Sequence, residues 1–459
     1  MARPRHLALR RILPTLTPTR RNNMADIFTG PEPRLGDLLV ARPALSMHAR
    51  DGLCFEGVPL NAIADQYGTP VWVYGAGSMR ARFAALRDAF RQQDLPVHIH
   101  YAVKANDHLA ILDIFRQAGA GADVVSLGEF LRAQRAKIAA QDIVYSGVGK
   151  ASAEIEAALS QGVGQFNVES AEELEMISAL ATRLGSTASI VLRMNPDVNA
   201  GTHAKITTGL AENKFGIPAA DVPALYARAS TLPGIVIHGL ALHIGSQILS
   251  PAPYAAAYSK AAEMVRALRA QGLEVMVLDL GGGIGIGYHD EPGMNLAAFA
   301  AMVKQTVGGL GVKLLLEPGR YLVGPAGLLL ASVVLQKQAG KRFVVLDAAM
   351  NELMRPALYE SWHGILPVDP ALFYEPVSPG DVVGPVCESA DCFAKDRELP
   401  SLPPGTRVAI LDAGAYGAVM SSTYNARPRA ASVLIDNGQV MLITPRQKPE
   451  DLWMDEILP

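Results

Sequence analysis

From about residue 97 to residue 318 the apolar positions gather into eight short, nearly unbroken runs: 97–103 (VHIHYAV), 122–126 (ADVVS), 142–146 (DIVYS), 165–168 (QFNV), 189–194 (SIVLRM), 235–243 (IVIHGLALH), 275–280 (VMVLDL) and 313–317 (KLLLE). They are rich in β-branched residues and do not alternate, as parallel strands covered on both faces require. Between them, segments such as 107–118, 127–139, 152–160, 170–184, 254–270 and 295–307 carry apolar residues at helical spacing. Ser170, followed by Glu173, reads as a capping box. Eight strands alternating with helices predict an α/β fold, a TIM-like (β/α)8 barrel over 61–325. The stretch 196–218 reads as a long loop, which in such barrels usually serves function.

Beyond about residue 325 the rhythm changes. Runs at 329–336, 343–347, 381–387, 406–411, 431–436 and 439–444 are joined by the turns VSPGD, LPPGT and DNG, with little helical periodicity. This predicts a C-terminal antiparallel β-barrel or sandwich domain over 326–459. The hairpin-like stretch around RDGLCFEG suggests that residues 26–60 pair into it.

Composition narrows the choice. A chain of 459 residues is too long for one ordinary core, and 49 % apolar with 19 % charged residues suits a globular protein. The first 25 residues differ, with six arginines and no acid. Pro4, Pro14 and Pro18 spoil the amphipathic helix of a transit peptide, and Met24 offers a second start, so this head is expected to be a disordered extension or a start-site artefact rather than a targeting segment. Removing its six of the 41 basic residues leaves 35 against 44 acidic ones, a balance that asks for no nucleic-acid partner. Cys54, Cys387 and Cys392 are few and widely spaced, giving neither a disulfide framework nor zinc-ligand spacing, as in a cytoplasmic chain without a metal site. The best apolar run, 321–335, is broken by Pro325 and reads as core and not as a membrane span.

In such a barrel chemistry belongs at the carboxyl ends of the strands. Reading those ends in order gives Lys104, then Asp123 and Ser126, Glu169, Arg193 and Asn195, His243 with Gly245 and Ser246, the glycines 281–283, and Glu317-Pro318-Gly319-Arg320. A lone lysine is usually a solvated strand edge and a lone histidine a satisfied core residue; here all of them converge on one rim. The run DLGGGIGIGY (279–288) matches a dinucleotide fingerprint poorly, lacking a ribose-binding acid about 20 residues on. A glycine-rich turn after strand seven can instead cradle a phosphate. Phosphate cradle, lysine and facing acid together fit pyridoxal 5'-phosphate. Its aldehyde needs a neutral lysine amine, expected here from partial burial beside cations.

The motifs YAVKAN (101–106), ENKFGI (212–217), HIGSQ (243–247), LGGGIGI (280–286), EPGR (317–320), MRPALY (354–359), GPVCESAD (384–391) and GAYGAVMSSTYNARPR (414–429) occur in order from about residue 40 to the end. Together they resemble the diaminopimelate decarboxylases, within the alanine-racemase-like, fold type III group of pyridoxal-phosphate enzymes. The resemblance implies that Lys104 carries the cofactor and that Ser246, Gly282 and Gly283 hold its phosphate. It implies Glu317 at the pyridine nitrogen, Pro318 and Gly319 beside it, His243 stacked on the ring and Tyr416 meeting cofactor and substrate. Arg320, Arg355 and Tyr359 match the substrate-binding set; two guanidiniums suit a dicarboxylate. Cys387, as proton donor, and Glu388, as binder of a substrate ammonium, match the pair supplied by the opposing subunit of a homodimer with shared sites. The implied reaction turns meso-diaminopimelate into L-lysine and carbon dioxide.

EPGR is shared with ornithine- and arginine-type decarboxylases, whose substrates need no second carboxylate clamp. An alanine racemase would place an arginine where Glu317 stands. A non-catalytic pyridoxal-phosphate carrier would leave Arg355, Tyr359, Cys387 and Glu388 without purpose, and a cofactor-free aldolase would be colourless.

Overall fold

Eight parallel strands close on themselves in the computed structural model, which describes residues 32–200, 209 and 214–459. They are β1 (Val97–Ala102), β2 (Gly121–Val124), β3 (Ile143–Tyr145), β4 (Gln165–Val168), β5 (Ala188–Asn195), β6 (Ile235–Ala241), β7 (Val277–Asp279) and β8 (Lys313–Leu316). Each pairs in parallel with the next, and β8 returns to β1 with Leu314 opposite Val97. All eight expected runs are barrel strands. The expected Arg-rich extension, most of the 196–218 loop, and Glu212 and Asn213 of ENKFGI lie outside the described residues.

The helices start where capping chemistry sits. Ser126 Oγ accepts from Glu129 N at 3.2 Å, and Ser170 Oγ from Glu173 N at 3.2 Å. The second half of the expected capping box is diverted: Glu173 accepts from Glu169 N at 3.0 Å and from the buried amine of Lys150 at 2.5 Å. One helix escaped the periodicity. The slot between β8 and β1 is filled by Ala76–Arg91, which precedes β1, and its Phe90 meets Phe299 of the helix Leu296–Val307 edge-on at 5.9 Å.

The second domain is built on the long strand Gly327–Ala339, which pairs antiparallel with Lys341–Leu346, Arg407–Ile410 and Val71–Gly75. The sheet is mixed and not wholly antiparallel: Ala431–Asp436 runs parallel to Val71–Gly75, and Ser378–Val383 parallel to Lys341–Leu346. Placing the barrel's start at residue 61 would assign Val71–Gly75 to the barrel; its hydrogen bonds put it in this sheet, where both edges find partners. Leu45–His48, Gly52–Phe55 and Val58–Pro59 instead form a small sheet of their own. It buries Leu53 and Phe55, with Leu60 of the helix that follows, against Val71, Leu330 and Val433 of the larger sheet, and Leu53 N–H donates to the Val368 carbonyl at 2.9 Å. Among the described residues no helix is long and apolar enough to cross a membrane.

Apolar side chains pack between barrel and helices, with Tyr145, Phe130 and Phe166 among the fully buried ones. The strand interior is different, holding Asp123, Gln165, Asn167, Asp279 and Glu317, all buried. Buried polar groups are costly unless partnered, so their partners define the site.

Candidate active site

β1 ends at Ala102 and runs into the tight turn Val103–Ala105, which carries Lys104. Its amine donates to Asp123 Oδ2 at 2.7 Å across to β2. Asp123 is fully buried, and its Oδ1 has no hydrogen-bond partner among the described residues. Burial alone would lower the lysine's pKa, but Asp123, then Glu317 and Tyr416, carry it above its ordinary value. The expected cationic surroundings are therefore wrong. The barrel interior supplies acids, and they hold the proton on the amine.

Glu317 closes β8 and accepts from Asn167 Nδ2 at 3.1 Å. Asn167 also donates to Ser146 Oγ at 3.0 Å, while its own Oδ1 accepts from Gln165 at 2.7 Å. Asp279, at the end of β7, accepts from Gly281 N at 3.0 Å and Gln165 at 3.3 Å. Burial first, then the charges of Asp123 and Asp279, push the Glu317 carboxyl well above the usual range, against the pull of Lys104. Asp279 is raised too, chiefly by burial, so the two carboxyls titrate as a pair.

The turn after β7 approaches its neighbours too closely for any side chain. A Cβ on residue 282 would lie 2.0 Å from the Glu317 carbonyl, and one on residue 283 would lie 2.2 Å from the Gly245 carbonyl. Gly281 and Gly283 also have φ of +67° and +92°. Gly282 N–H donates to His243 Nδ1 at 3.2 Å, which places that ring's proton on Nε2. Burial, then Arg193 and Lys104, keep His243 neutral.

The second domain reaches the rim through Tyr416, whose N–H donates to the Ala105 carbonyl at 2.8 Å, one residue past Lys104. Its ring lies 4.8 Å from the Arg320 guanidinium. Arg320 donates to Tyr288 Oη at 2.6 Å and Ser246 Oγ at 3.1 Å. Arg355, opening the short helix Arg355–Tyr359, sits 4.7 Å over the Tyr288 ring. Lys104, Glu317 and the glycine turn thus face two buried guanidiniums across one rim.

Residues 76–324 match the family described as pyridoxal-dependent decarboxylase, pyridoxal binding domain. The diaminopimelate decarboxylase of Zymomonas mobilis is 45 % identical over 413 residues, covering 88 % of this chain and 96 % of that one. That of Neisseria meningitidis serogroup A is 45 % identical over 405 residues, covering 88 % and 98 %. The chain belongs to the diaminopimelate decarboxylases. The crystal structure of the Helicobacter pylori diaminopimelate decarboxylase complexed with L-lysine superposes with a TM-score of 0.83 at 39 % identity, covering 86 % of this chain and 99 % of that one.

Pyridoxal 5'-phosphate is the cofactor of this decarboxylase family, and the residues present fit it. They offer an amine at a strand end, a turn whose bare backbone no Cβ could share, a buried acid with a raised pKa and a neutral imidazole.

For a diaminopimelate decarboxylase the expected residues divide in two. Lys104, His243, Ser246, Gly282, Gly283, Glu317, Pro318, Gly319, Arg320, Arg355, Tyr359 and Tyr416 gather around the barrel's carboxyl rim and the edge of the second domain facing it. Cys387 and Glu388 do not join them within one chain. They lie exposed on the loop between Ser378–Val383 and Cys392–Leu399, with Cys387 N–H bonded to Asn425 Oδ1 at 2.9 Å. Glu169, just after β4, and Arg193 on β5 pair at 2.7 Å. Asn167, Asp279, Tyr288 and His363 were not singled out by sequence reasoning. The one available signal was a polar residue inside an apolar run, as in QFNV and VMVLDL.

Proposed function

We propose that the chain catalyses the pyridoxal-phosphate-dependent decarboxylation of meso-2,6-diaminopimelate to L-lysine and carbon dioxide, the last step of lysine biosynthesis. The observation that carries the substrate choice is the Arg320–Arg355 pair, two buried cations on one rim with Lys104, each held, among the described residues, by neutral side chains. A dicarboxylate needs two such receptors; ornithine needs one.

Lys104 would hold the cofactor's aldehyde, Gly282, Gly283 and Ser246 its phosphate, and Glu317 its ring nitrogen, with Pro318 and Gly319 shaping that wall. When bound, the group supplies an electron sink for the pair left behind by the departing carboxylate. The chain's own residues do the rest. Asp123 keeps Lys104 Nζ oriented and protonated until the amine is needed. Asp279 and Asn167 hold Glu317 in place from two strands. Neutral His243, fixed by the Gly282 amide, offers a flat uncharged face. Arg320, Arg355 and Tyr359 orient the substrate, and Tyr416 bridges it to the Lys104 turn.

Cys387 would return a proton to the α-carbon, and Glu388 would bind the distal ammonium. Their exposed loop fits a homodimer in which each subunit completes the other's site. Three cysteines without a disulfide among the described residues fit a cytoplasmic setting. The test is carbon dioxide release from meso-diaminopimelate, ornithine and arginine. Preference for the first, lost in Lys104→Ala with the fold intact, is expected; preference for ornithine rejects the reading.

A further inference from the structure

Five arginines are buried among the described residues. Three carry a carboxylate: Arg42 with Asp412 at 2.6 Å, Arg193 with Glu169 at 2.7 Å and Arg397 with Glu32 at 2.5 Å. Arg320 and Arg355 form no ion pair with any described residue, although only 6 % and 3 % of their surface is exposed. A buried guanidinium without a counter-charge is costly, so something must hold it that does not cancel it.

Two residues outside the expected site do this. Arg355 donates through Nη1 to His363 Nε2 at 2.7 Å, and His363 Nδ1–H donates to the Leu411 carbonyl at 2.7 Å. That second bond leaves Nε2 with a lone pair and no proton. Tyr288 stands between the cations: its hydroxyl accepts from Arg320, its ring underlies Arg355, and its edge meets His363 at a centroid distance of 5.3 Å. Both residues are themselves anchored. Arg42 bonds the Tyr288 carbonyl and Asp412, the residue after Leu411, while Arg397 donates to the His363 carbonyl at 2.7 Å.

We propose that Tyr288 and His363 are the positioning and specificity-determining residues of the Arg320–Arg355 pair, holding both guanidiniums through neutral groups so that their charge stays available to a ligand dicarboxylate. This rests on the function proposed above and assigns the clamp's selectivity to residues that need not touch the substrate. Burial, with Arg355, Arg320 and Arg397 around it, keeps His363 neutral, and Arg355 stays cationic at neutral pH although burial pushes it down to about 10. The logic is discriminating. An acid at position 363 would bind Arg355 more strongly than the imidazole does, and would thereby spend its charge inside the protein.

The test compares His363→Gln, His363→Glu and Tyr288→Leu in the holoenzyme. It reads KM and kcat for meso-diaminopimelate, thermal melting, and calorimetric affinity for heptanedioate, a dicarboxylate without amino groups. Gln, which keeps an acceptor, is expected within about threefold of the parent; Glu and Tyr288→Leu are expected to raise KM and weaken heptanedioate about tenfold or more, with kcat much less affected. A residue that merely filled space would let the folded Glu variant bind like the parent, and that result overturns the proposal. If the Glu variant does not fold, Tyr288→Leu decides, and parent-like KM and heptanedioate affinity overturn it. A parent that binds heptanedioate but releases no carbon dioxide from diaminopimelate sinks the proposed function instead, while the binding series still tests the positioning roles.

Discussion

Replacing Asp123 with asparagine keeps the shape of the barrel interior and removes the charge nearest Lys104. At 2.7 Å the attraction is about 6 kcal/mol for an effective dielectric of about 20. The lysine side chain is 34 % exposed, so solvent screens it, and Glu317 continues to act on it. Halving the attraction leaves about 3 kcal/mol, or a fall of about two units in the lysine's pKa. The sign follows from linkage. Lys104 is raised above its ordinary 10.5, so its contribution to stability is complete below that value and disappears as pH rises through the folded pKa. In Asp123→Asn that alkaline loss moves to lower pH or vanishes. Only a neutral amine adds to an aldehyde, so the assay mixes apo-protein with pyridoxal 5'-phosphate and follows yellow colour against pH, with Lys104→Ala as the blank. The midpoint of the rate profile should fall by about two units. An unchanged or higher midpoint would show that Asp123 does not hold the amine's proton.

Gly282→Ala drives a methyl group to 2.0 Å from the Glu317 backbone carbonyl, which cannot swing aside as a side chain could, and should cost about 1–3 kcal/mol. Thermal melting should register that loss, and a pyridoxal-phosphate titration should show a larger loss of affinity; parent-like values in both would contradict the close approach. Cys387→Ala should lower kcat far more than cofactor affinity. Mixing Lys104→Ala with Cys387→Ala subunits should restore part of the activity, and no restoration argues against a shared site.

The barrel strands were legible because a strand covered on both faces must be apolar throughout, and VHIHYAV or SIVLRM has no other economical home. Lys104, the glycine turn and Glu317 stood out because cations, bare turns and acids are unusual at the ends of such runs. What stayed hidden depends on partners distant in the chain. VWVYG at 71–75 is as apolar as any barrel strand, and only its pairing with Gly327–Ala339 and Ala431–Asp436 assigns it to the second sheet. Asn167 and Asp279 acquire meaning only when barrel closure brings β4, β7 and β8 around Glu317. His363 looked like any histidine until Leu411, 48 residues on, fixed its tautomer.

The strand Val71–Gly75 has a consequence for how the molecule is made. It leaves the ribosome early, yet both strands that flank it, Gly327–Ala339 and Ala431–Asp436, are translated after the barrel. Until then it offers two bare edges of β-branched and aromatic side chains, an invitation to misassociation. A truncated product ending near residue 325 would keep that liability for good, so cutting the gene between barrel and sheet should yield inclusion bodies and not a free-standing barrel.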